Sequence, residues 1–295
     1  CGEVEVLETI AETLIDPLIG ADIRAELASD EGIAFAAARQ RAVAKRLGEM
    51  SCQLETPNNI LAVEYIKAIY NLGLNLKPVT IQRFGSGHDE LSGEGYKSAA
   101  EIRRMISGGK DIASELPESA CAVYRREEKL GRGPVTPESL ESAIISRLRM
   151  LPDKAYAALP DTGEGLHNRI ARAAKEECSL DAILAAGKSK RYALSRIRRI
   201  IMCAALGISA QMSAETPPYA RVLAANSRGC SLLRDMGEKS RIPVITKPAE
   251  VKSCGDECRG IFELGSAAHD LYVLGYAARG ERKGGADWRT SPKIM

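Results

Sequence analysis

The stretch "TPNNILAVEYIKAIYNLGLNLKPVTIQRF" (residues 56–84) decides the fold, because its pattern changes along its length from that of a helix to that of a strand. Asn58 or Asn59 can cap the helix, and Gly73 ends it. Apolar residues recur between these limits at spacings of three and four, which predicts one buried face. That predicted face consists of Ala62, Tyr65, Ile66 and Ile69. Residues 77–84 are β-branched and apolar and are predicted to form a strand.

A flexible turn and a second helix follow the predicted strand. The turn is "GSG" at 85–87, and Ser98 with Glu101 has the spacing of a capping box at the start of a short helix. Gly108 and Gly109 stop that helix. A helix, strand, loop and helix in this order are typical of an α/β domain with a parallel sheet. A single strand cannot form a sheet, so we expect its partners to lie in less regular sequence or upstream.

The later part of the chain is dominated by helical patterns. Thr136 caps a helix with Pro137 at its first position, and this helix is predicted to run through Met150. Further helices are predicted at 164–177, 180–186 and 189–206. The segment "RIPVIT" at 241–246 has the composition of a strand.

Length and composition allow one large domain or two of ordinary size, since 295 residues with 45% hydrophobic content can bury sizeable cores. We predict the fold class α/β plus all-α, with an α/β domain at 1–115 and a mainly helical domain at 116–295. The chain has 41 Lys and Arg against 39 Asp and Glu. Its net charge of +2 therefore indicates no class of partner, and any basic surface must be local.

The cysteines and apolar runs indicate the cellular compartment. Eight cysteines occur mostly singly within helical patterns, which favours free thiols in a reducing cytoplasm over a disulfide framework. The sequence contains no apolar run of the length of a membrane span, and its first residues lack the pattern of a signal peptide. We expect a soluble cytoplasmic protein without a membrane partner.

The carboxyl end of the predicted strand is the first candidate binding site. Ligands of open α/β sheets lie beyond the strand ends, where helix N-termini offer N–H groups to phosphate. Arg83 lies at this end, the glycines at 85–87 permit close backbone approach, and Ser98 begins a helix that carries Arg103. Together these groups can hold a nucleotide phosphate. The alternative is a surface arginine beside an ordinary turn, and these residues alone favour that alternative.

A basic segment at 187–207 is the second candidate site. Between Asp181 and Glu215 the sequence contains no acidic residue but six cations before residue 200. The cations are Lys188, Lys190, Arg191, Arg196, Arg198 and Arg199. The predicted buried stripe of this helix is Leu194, Ile197, Ile201 and Ala204. An acid-free basic face suits the phosphate backbone of RNA or DNA, and we favour this over a solvated surface, which usually has mixed charge.

Cys254, Cys258 and His269 form the third candidate, as ligands of a metal ion. A structural zinc site needs four ligands, and its paired cysteines are usually closer in sequence. Free thiols in a loop are therefore favoured, and no metal ligand is assigned. His88 and Asp89 follow the glycine turn, where a surface pair is favoured over a ligand contact.

A series of ordered strings gives more specific information. They are "PNNILAVEYIKA", "KPVTIQRFGSGHDE", "KSAAEIRRMI", "EGLHNRI", "KSKRYALSRIRRII", "ITKP" and "HDLYVLG". In these strings and in their order, the sequence resembles the bacterial tRNA(Met) cytidine acetate ligase family. The resemblance extends along essentially the whole chain, from Cys1 to the C-terminal "DWRTSPKIM".

The resemblance implies an enzyme that activates acetate with ATP as acetyl-adenylate, releases pyrophosphate and acetylates N4 of the wobble cytidine of elongator tRNA(Met). It also implies the C-terminal part of a Rossmann-like nucleotidyltransferase domain, followed by a helical domain that holds tRNA, with Mg²⁺ accompanying ATP. The positions that the resemblance assigns to ATP are Asn58, Asn59, Arg83, Phe84, Ser98 and Arg103. The basic segment is the part that the resemblance assigns to tRNA.

The sequence departs from the family pattern at its start. The family begins with a strand and an H-x-G-H-type motif that contacts the ATP phosphates, and it has "FGSE" before the "CG" that begins this chain. Residues 1–295 contain neither, so we expect them to hold half of an ATP site and to be inactive alone. Two other functions stay open: a noncatalytic tRNA-binding protein with a vestigial nucleotide domain, and another adenylyl-transferring nucleotidyltransferase.

Overall fold

The computed structural model of the chain describes residues 2–30, 33–81, 96–163, 165–189, 192–214 and 216–295. The chain divides into two compact units, an N-terminal unit, Cys1–Leu116, and a C-terminal unit, Pro117–Met295. Most of the described residues of both units are helical. Among the described residues, no helix has both the length and the apolar character needed to cross a membrane.

The described part of the N-terminal unit contains five α-helices and a long 3-10 segment at Gly48–Glu55. The helices are α1 (Val4–Ile15), α2 (Ile19–Ser29), α3 (Phe35–Leu47), α4 (Pro57–Asn71) and α5 (Ala99–Ser107). The core forms where α1, α3 and α4 meet the 3-10 segment. Its fully buried side chains include Leu7, Ile10, Val43 and Val63. Burial of these apolar faces stabilises helices that are individually too short to persist in water.

The start of α4 differs from the prediction. Thr56 is the N-cap residue and Pro57 occupies the first helical position, so the predicted caps Asn58 and Asn59 were wrong and lie within the first turn. Proline is favoured at that first position because its fixed φ is already helical. An N–H group at this position would have no acceptor within the helix, so its absence in proline costs nothing. The predicted end is confirmed, since the helix stops before Gly73, which has a φ of +59°.

The buried face of α4 is also rotated from the predicted one. Asn59, Val63 and Ile66 are the buried residues, whereas Tyr65 is exposed. Apolar residues cover more than half of the circumference of this helix, so spacing alone does not fix which side meets the core. The Tyr65 hydroxyl is better solvated at the surface, which is consistent with its outward position.

The strand predicted at 77–84 is not formed in its described part, residues 77–81. Val79 and Ile81 are 79% and 82% exposed. β-Branched residues favour a strand when a neighbouring strand supplies hydrogen bonds and a face to pack against. The described residues of the N-terminal unit include no such strand. The α/β part of the predicted fold class therefore stays a prediction.

The described part of the C-terminal unit contains ten α-helices. They are α6 (Glu118–Lys129), α7 (Pro137–Met150), α8 (Asp153–Ala157), α9 (Leu166–Glu176), α10 (Leu180–Gly187), α11 (Leu194–Leu206), α12 (Ala210–Ala214), α13 (Ser227–Lys239), α14 (Asp256–Val273) and α15 (Ala286–Arg289). The predicted bounds of α7 and its Thr136 cap are confirmed. The helix predicted at 189–206 begins later, at Leu194, and ends as predicted before Gly207, whose φ is +78°.

The main core of the C-terminal unit lies between α7, α9, α10 and α11. Leu148, Ile170, Ile183 and Ile197 are among its fully buried residues. Gly187 at the end of α10 permits a close approach to α11, because a Cβ there would lie 2.9 Å from Cγ2 of Ile197. The last turn of α10 therefore packs against the first turn of α11.

Four two-residue strands form two parallel pairs in the C-terminal unit. They are β1 (Ala220–Arg221), β2 (Ala224–Ala225), β3 (Val244–Ile245) and β4 (Lys293–Ile294). β1 pairs with β3, and β2 pairs with β4. The strand predicted at 241–246 is thus confirmed in short form as β3. A small second core beside it contains Ile245, Val251 and Phe262, with Trp288 packed against them.

Three arginines of the C-terminal unit bind the carboxyl ends of helices. Each guanidinium group donates to backbone carbonyls at the end of α9, α10 or α11, at 2.6–3.1 Å. The pairs are Arg147 with Ala205, Arg149 with Ala174 and Glu177, and Arg169 with Ala186 and Lys188. A cation at this end also complements the helix dipole. These arginines therefore have a structural role.

Candidate functional site

The two asparagines at the start of α4 have different environments. Asn59 is buried, its Oδ1 accepts the N–H of Gly2 at 2.9 Å, and its Nδ2 donates to Oε1 of Gln53 at 2.7 Å. Asn58 is exposed. Asn59 therefore fixes the beginning of α1 and the 3-10 segment to α4, whereas the amide of Asn58 is available to a ligand.

Ser98 and Arg103 lie on α5. Ser98 is buried and its Oγ accepts the N–H of Glu101 at 3.2 Å, which confirms the predicted cap. Its hydroxyl oxygen is thus engaged in the helix start. The first N–H groups of a helix have no internal acceptor, and here those of Ala99 and Ala100 can donate to an anion. Arg103 is exposed on the second turn.

Four predicted site residues lie outside the described residues. Arg83 and Phe84 belong to the predicted ATP site, and the glycine turn at 85–87 follows them. Lys190 and Arg191 belong to the predicted RNA-binding segment. The structure therefore positions Asn58, Asn59, Ser98 and Arg103, and the grouping of these residues with Arg83 stays a prediction.

Two arginines of α11 are bound to Asp161, which sequence reasoning missed. Nε and Nη2 of Arg196 donate to the Asp161 carbonyl at 3.1 and 2.6 Å, and Nη2 of Arg199 forms a salt bridge with the Asp161 carboxylate. The Arg196 guanidinium also lies over the Tyr192 ring, 5.1 Å from its centre. The absence of acidic residues in the surrounding sequence therefore did not produce an acid-free surface.

Among the cations of this segment that the structure describes, Arg198 and Lys188 have no such partner. Both are exposed, and neither has a salt bridge within the part of the chain that the structure describes. Successive helical residues are turned by about 100°, so Arg198 lies on a different side of α11 from Arg196. The predicted basic surface is thus divided between Asp161-bound arginines and cations that remain available.

A second polar cluster in the C-terminal unit joins residues far apart in sequence. Asp287 accepts from Nη1 of Arg221 at 2.5 Å, and its Oδ2 lies 2.7 Å from Nδ1 of His269. The Arg221 guanidinium lies 4.9 Å from the centre of the Phe262 ring. This cluster fixes α15 against β1 and α14. The sequence contained no local signal for it, because its members are 18 and 66 residues apart.

His269 is thereby engaged with a carboxylate, and Cys258 is buried at the start of α14. The Cys254 thiol donates to the Glu250 carbonyl, and both cysteines are free thiols. Burial raises the pKa of Cys258. Among the described residues, no group of three or more His, Cys, Asp and Glu side chains could hold a metal ion.

Protonation of Asp287 is expected to weaken the C-terminal unit. Burial acts to raise the pKa of Asp287, but hydrogen bonds from Arg221 and His269 outweigh it, so the pKa lies below its ordinary value. A carboxylate whose pKa is lowered by folding stabilises the folded state at pH values above its unfolded-state pKa of about 3.9. This contribution is lost as the pH falls below that value and the carboxylate becomes protonated. Asp287→Asn should therefore lower the free energy of unfolding by about 1.5–3 kcal/mol near pH 7 and by progressively less below pH ~4.

Urea unfolding followed by the fluorescence of Trp288, the single tryptophan of the chain, measures this difference at each pH. If wild type and Asp287→Asn differed in unfolding free energy by the same amount from pH 7 to pH ~3, the assigned role of the carboxylate would be contradicted.

Comparison with known proteins identifies the family. The family model described as HIGH Nucleotidyl Transferase matches residues 1–287. The tRNA(Met) cytidine acetate ligase of Caldanaerobacter subterraneus subsp. tengcongensis is 34% identical over 284 residues, which cover 93% of this chain and 70% of the relative. The chain belongs to the tRNA(Met) cytidine acetate ligase family, a family of ligases. The corresponding protein of Acetivibrio thermocellus is 29% identical over 313 residues, covering 100% of this chain and 75% of that protein.

Solved structures confirm that the fold is that of this nucleotidyltransferase-like family. The apo crystal structure of Thermotoga maritima TmcAL has a TM-score of 0.89 at 25% identity and covers 99% of this chain and 74% of that one. A second form of the same protein, crystallised with α-thio ATP, has a TM-score of 0.87 at 24% identity, with the same coverage of both chains. The resemblance to the acetate ligase family inferred from the sequence is therefore confirmed.

Proposed function

We propose that this protein is an ATP-dependent ligase that acetylates N4 of the wobble cytidine of elongator tRNA(Met). In the first step an acetate oxygen attacks the α-phosphorus of ATP, and the bond to pyrophosphate breaks. In the second step the cytidine N4 attacks the acetyl carbonyl carbon, AMP leaves, and N4 loses a proton. The observation that carries this proposal is that relatives 29–34% identical over most of the chain are named tRNA(Met) cytidine acetate ligases.

The proposed ATP site consists of Asn58, Asn59, Arg83, Phe84, Ser98 and Arg103, within a partial Rossmann-like domain at 1–115. The exposed amide of Asn58 can bond the nucleotide without adding charge, and Asn59 holds that turn in place. The guanidinium groups of Arg83 and Arg103 can stabilise the charge that develops on departing pyrophosphate. The free N–H groups of α5 suit a phosphate oxygen.

Mg²⁺ would enter this site with the nucleotide. Mg²⁺ is usually held by one or two carboxylates together with substrate phosphates, and the described residues contain no cluster that could hold a metal ion by itself. Its chemistry there would be to neutralise phosphate charge. The Asn58 amide and the N–H groups of α5 would orient the nucleotide independently of the ion.

The proposed tRNA contacts lie in the helical domain at 116–295. They comprise Lys188, Lys190, Arg191, Arg196, Arg198 and Arg199. Arg198 and Lys188 carry charge that no described carboxylate neutralises, so they should contribute more to phosphate binding than Arg196 and Arg199, which are bound to Asp161. To bind a phosphate, the guanidinium of Arg199 must either break its salt bridge with Asp161 or contact both groups at once.

Two assays on the full-length gene product test the proposed reaction. We expect acetate-dependent exchange between ATP and pyrophosphate, and N4-acetylcytidine in a transcript of elongator tRNA(Met). Exchange that instead requires a phosphorylated small molecule, without tRNA binding, would indicate another adenylyl transferase. Binding of tRNA with neither exchange nor acetylation would indicate a noncatalytic RNA-binding protein.

The two neighbouring arginines of α11 provide a matched test of tRNA contact. Arg198→Ala is expected to reduce the slope of log Kobs against log salt concentration by about one unit, because one phosphate contact is lost. Arg199→Ala should reduce it less, since Asp161 already neutralises that guanidinium. The binding constant of each variant for the tRNA transcript, measured between about 50 and 200 mM salt, gives both slopes. Identical slopes for wild type and Arg198→Ala would exclude Arg198 as a phosphate contact.

A further inference from the structure

A cavity in the C-terminal unit lies between four helices. Its volume is about 560 Å³, and it is lined by the start of α7, by α10 and α11, and by Tyr272 of α14. Pockets for small ligands and cofactors usually measure roughly 300–1,000 Å³. The cavity is therefore large enough to receive a ring system, and none of its lining residues is among those proposed for ATP.

The floor of the cavity is apolar and fixed. Ile144, Leu184 and Ile201 belong to the main core of the unit and are buried, and Leu140 packs beside them. Gly275 allows the end of α14 to approach α7, since a Cβ there would lie 2.7 Å from Cγ1 of Val135. The backbone therefore holds the wall that carries Tyr272 close to the floor.

The mouth of the cavity exposes an aromatic ring and a thioether. Tyr272 is 46% exposed and Met202 is 38% exposed. An edge-to-face contact with Tyr276, with ring centres 5.9 Å apart, holds the Tyr272 ring. Burial of such groups against a flat ligand is favourable, and a fixed aromatic ring loses little entropy when it stacks.

Two charged groups of opposite sign complete the lining. Arg198 projects from α11 one turn before Met202, and Asp181 projects from the first turn of α10. Within the described parts of the chain, neither side chain has a salt bridge or a hydrogen bond to another residue. Glu138, the other carboxylate of the lining, is held by Thr136 through a hydrogen bond that lowers its pKa. Arg198 and Asp181 are therefore the groups available to a ligand.

We propose that this cavity binds one unstacked nucleobase of a single-stranded RNA segment, and that the base carries an exocyclic amino group. The inference rests on the proposed function, because tRNA would be the natural source of that segment. Tyr272 stacks on the base, Asp181 accepts a hydrogen bond from the amino group of cytosine or adenine, and Arg198 binds the adjoining phosphate.

A nucleotide fits this lining better than an apolar protein segment does. One nucleotide presents a flat ring, an N–H donor and an anion together, which match the ring, the carboxylate and the guanidinium of the cavity. An apolar peptide would cover Asp181 and Arg198 without bonding them, and burial of unpaired charges is unfavourable. Uracil lacks the exocyclic amino group and should be bound less tightly than cytosine.

The test uses fluorescence anisotropy with a labelled transcript of elongator tRNA(Met). Tyr272→Ala is expected to weaken binding about 5- to 100-fold, the effect of losing one stacked base. Tyr272→Phe keeps the ring and should retain the affinity of the wild type. Thermal unfolding of each variant shows whether the fold is preserved. Met202→Glu, at a partly exposed position, provides a second variant and should also weaken binding by repelling the RNA backbone.

Short oligocytidylate and oligouridylate test the recognition of the base. Wild type should bind oligocytidylate more tightly, and Asp181→Asn should remove that preference. Equal affinity of the wild type for the two oligomers, or wild-type affinity of folded Tyr272→Ala and Met202→Glu for the transcript, would overturn the inference and leave the proposed function intact. A wild-type protein that does not bind the transcript at all would overturn both.

Discussion

Replacing Phe262 with alanine is expected to reduce the unfolding free energy of the C-terminal unit by about 3–5 kcal/mol. Phe262 is 1% exposed and forms the centre of the small core beside β3. Its ring packs edge-on against Trp288, with ring centres 4.6 Å apart, and lies beneath the Arg221 guanidinium. Alanine would remove these contacts together and leave a cavity between α14, α15 and the strands.

An alanine substitution at Leu232, in the same unit, is a matched control. Leu232 is 58% exposed on α13, so Leu232→Ala should change stability by no more than about 0.5 kcal/mol. Urea unfolding of the C-terminal unit can be followed by the fluorescence of Trp288, which contacts Phe262 directly. Similar losses for the two variants would show that the contacts of Phe262 do not determine the stability of this unit.

Gly131→Ala is expected to destabilise the C-terminal unit by about 3 kcal/mol, the sum of two effects. Gly131 has a φ of +66°, and a side chain in this left-handed conformation costs about 1–2 kcal/mol. A Cβ would also lie 2.6 Å from Cβ of Ala278 and 3.0 Å from its backbone nitrogen, and such overpacking costs about 1–3 kcal/mol. The Ala278 N–H donates to the Gly131 carbonyl, so the neighbouring backbone cannot withdraw freely.

Gly207→Ala separates the two effects. Gly207 also has a positive φ, +78°, but a Cβ there would meet nothing within 4 Å. The unfolding free energy of this variant should therefore fall by about 1–2 kcal/mol, which is the conformational cost alone. Urea unfolding monitored at Trp288 compares both variants in one unit. Equal losses would mean that the backbone near Ala278 moves aside without cost.

Local chemistry made the helix ends of the C-terminal unit predictable. Thr136 followed by Pro137 fixed the start of α7, and Gly207 fixed the end of α11, because capping depends on a few adjacent residues. The same logic identified Ser98 at the start of α5. It failed at Asn58 and Asn59, since Thr56 and Pro57 provide a start two or three residues earlier, which places both asparagines inside the first turn.

Features that depend on distant partners could not be predicted. The strand pattern at 77–84 has the right composition, but a strand also needs a neighbour, which no local pattern supplies. Asp161 pairs with Arg199 from 38 residues away, and Asp287 pairs with Arg221 across 66 residues. The basic segment therefore stays a prediction as an RNA-binding surface, and its electrostatics were incomplete because the pairing with Asp161 was not foreseen. Mutual placement of the ATP-assigned residues stays a prediction for the same reason.

The arginines bound at the ends of α9, α10 and α11 limit how this protein can be engineered. Exchange of surface arginines for lysines preserves net charge. Lysine lacks the planar fork that reaches two carbonyls at once, so such an exchange at Arg149 or Arg169 would release helix ends while the isoelectric point hardly changed. Variant libraries for this protein should keep these positions as arginine.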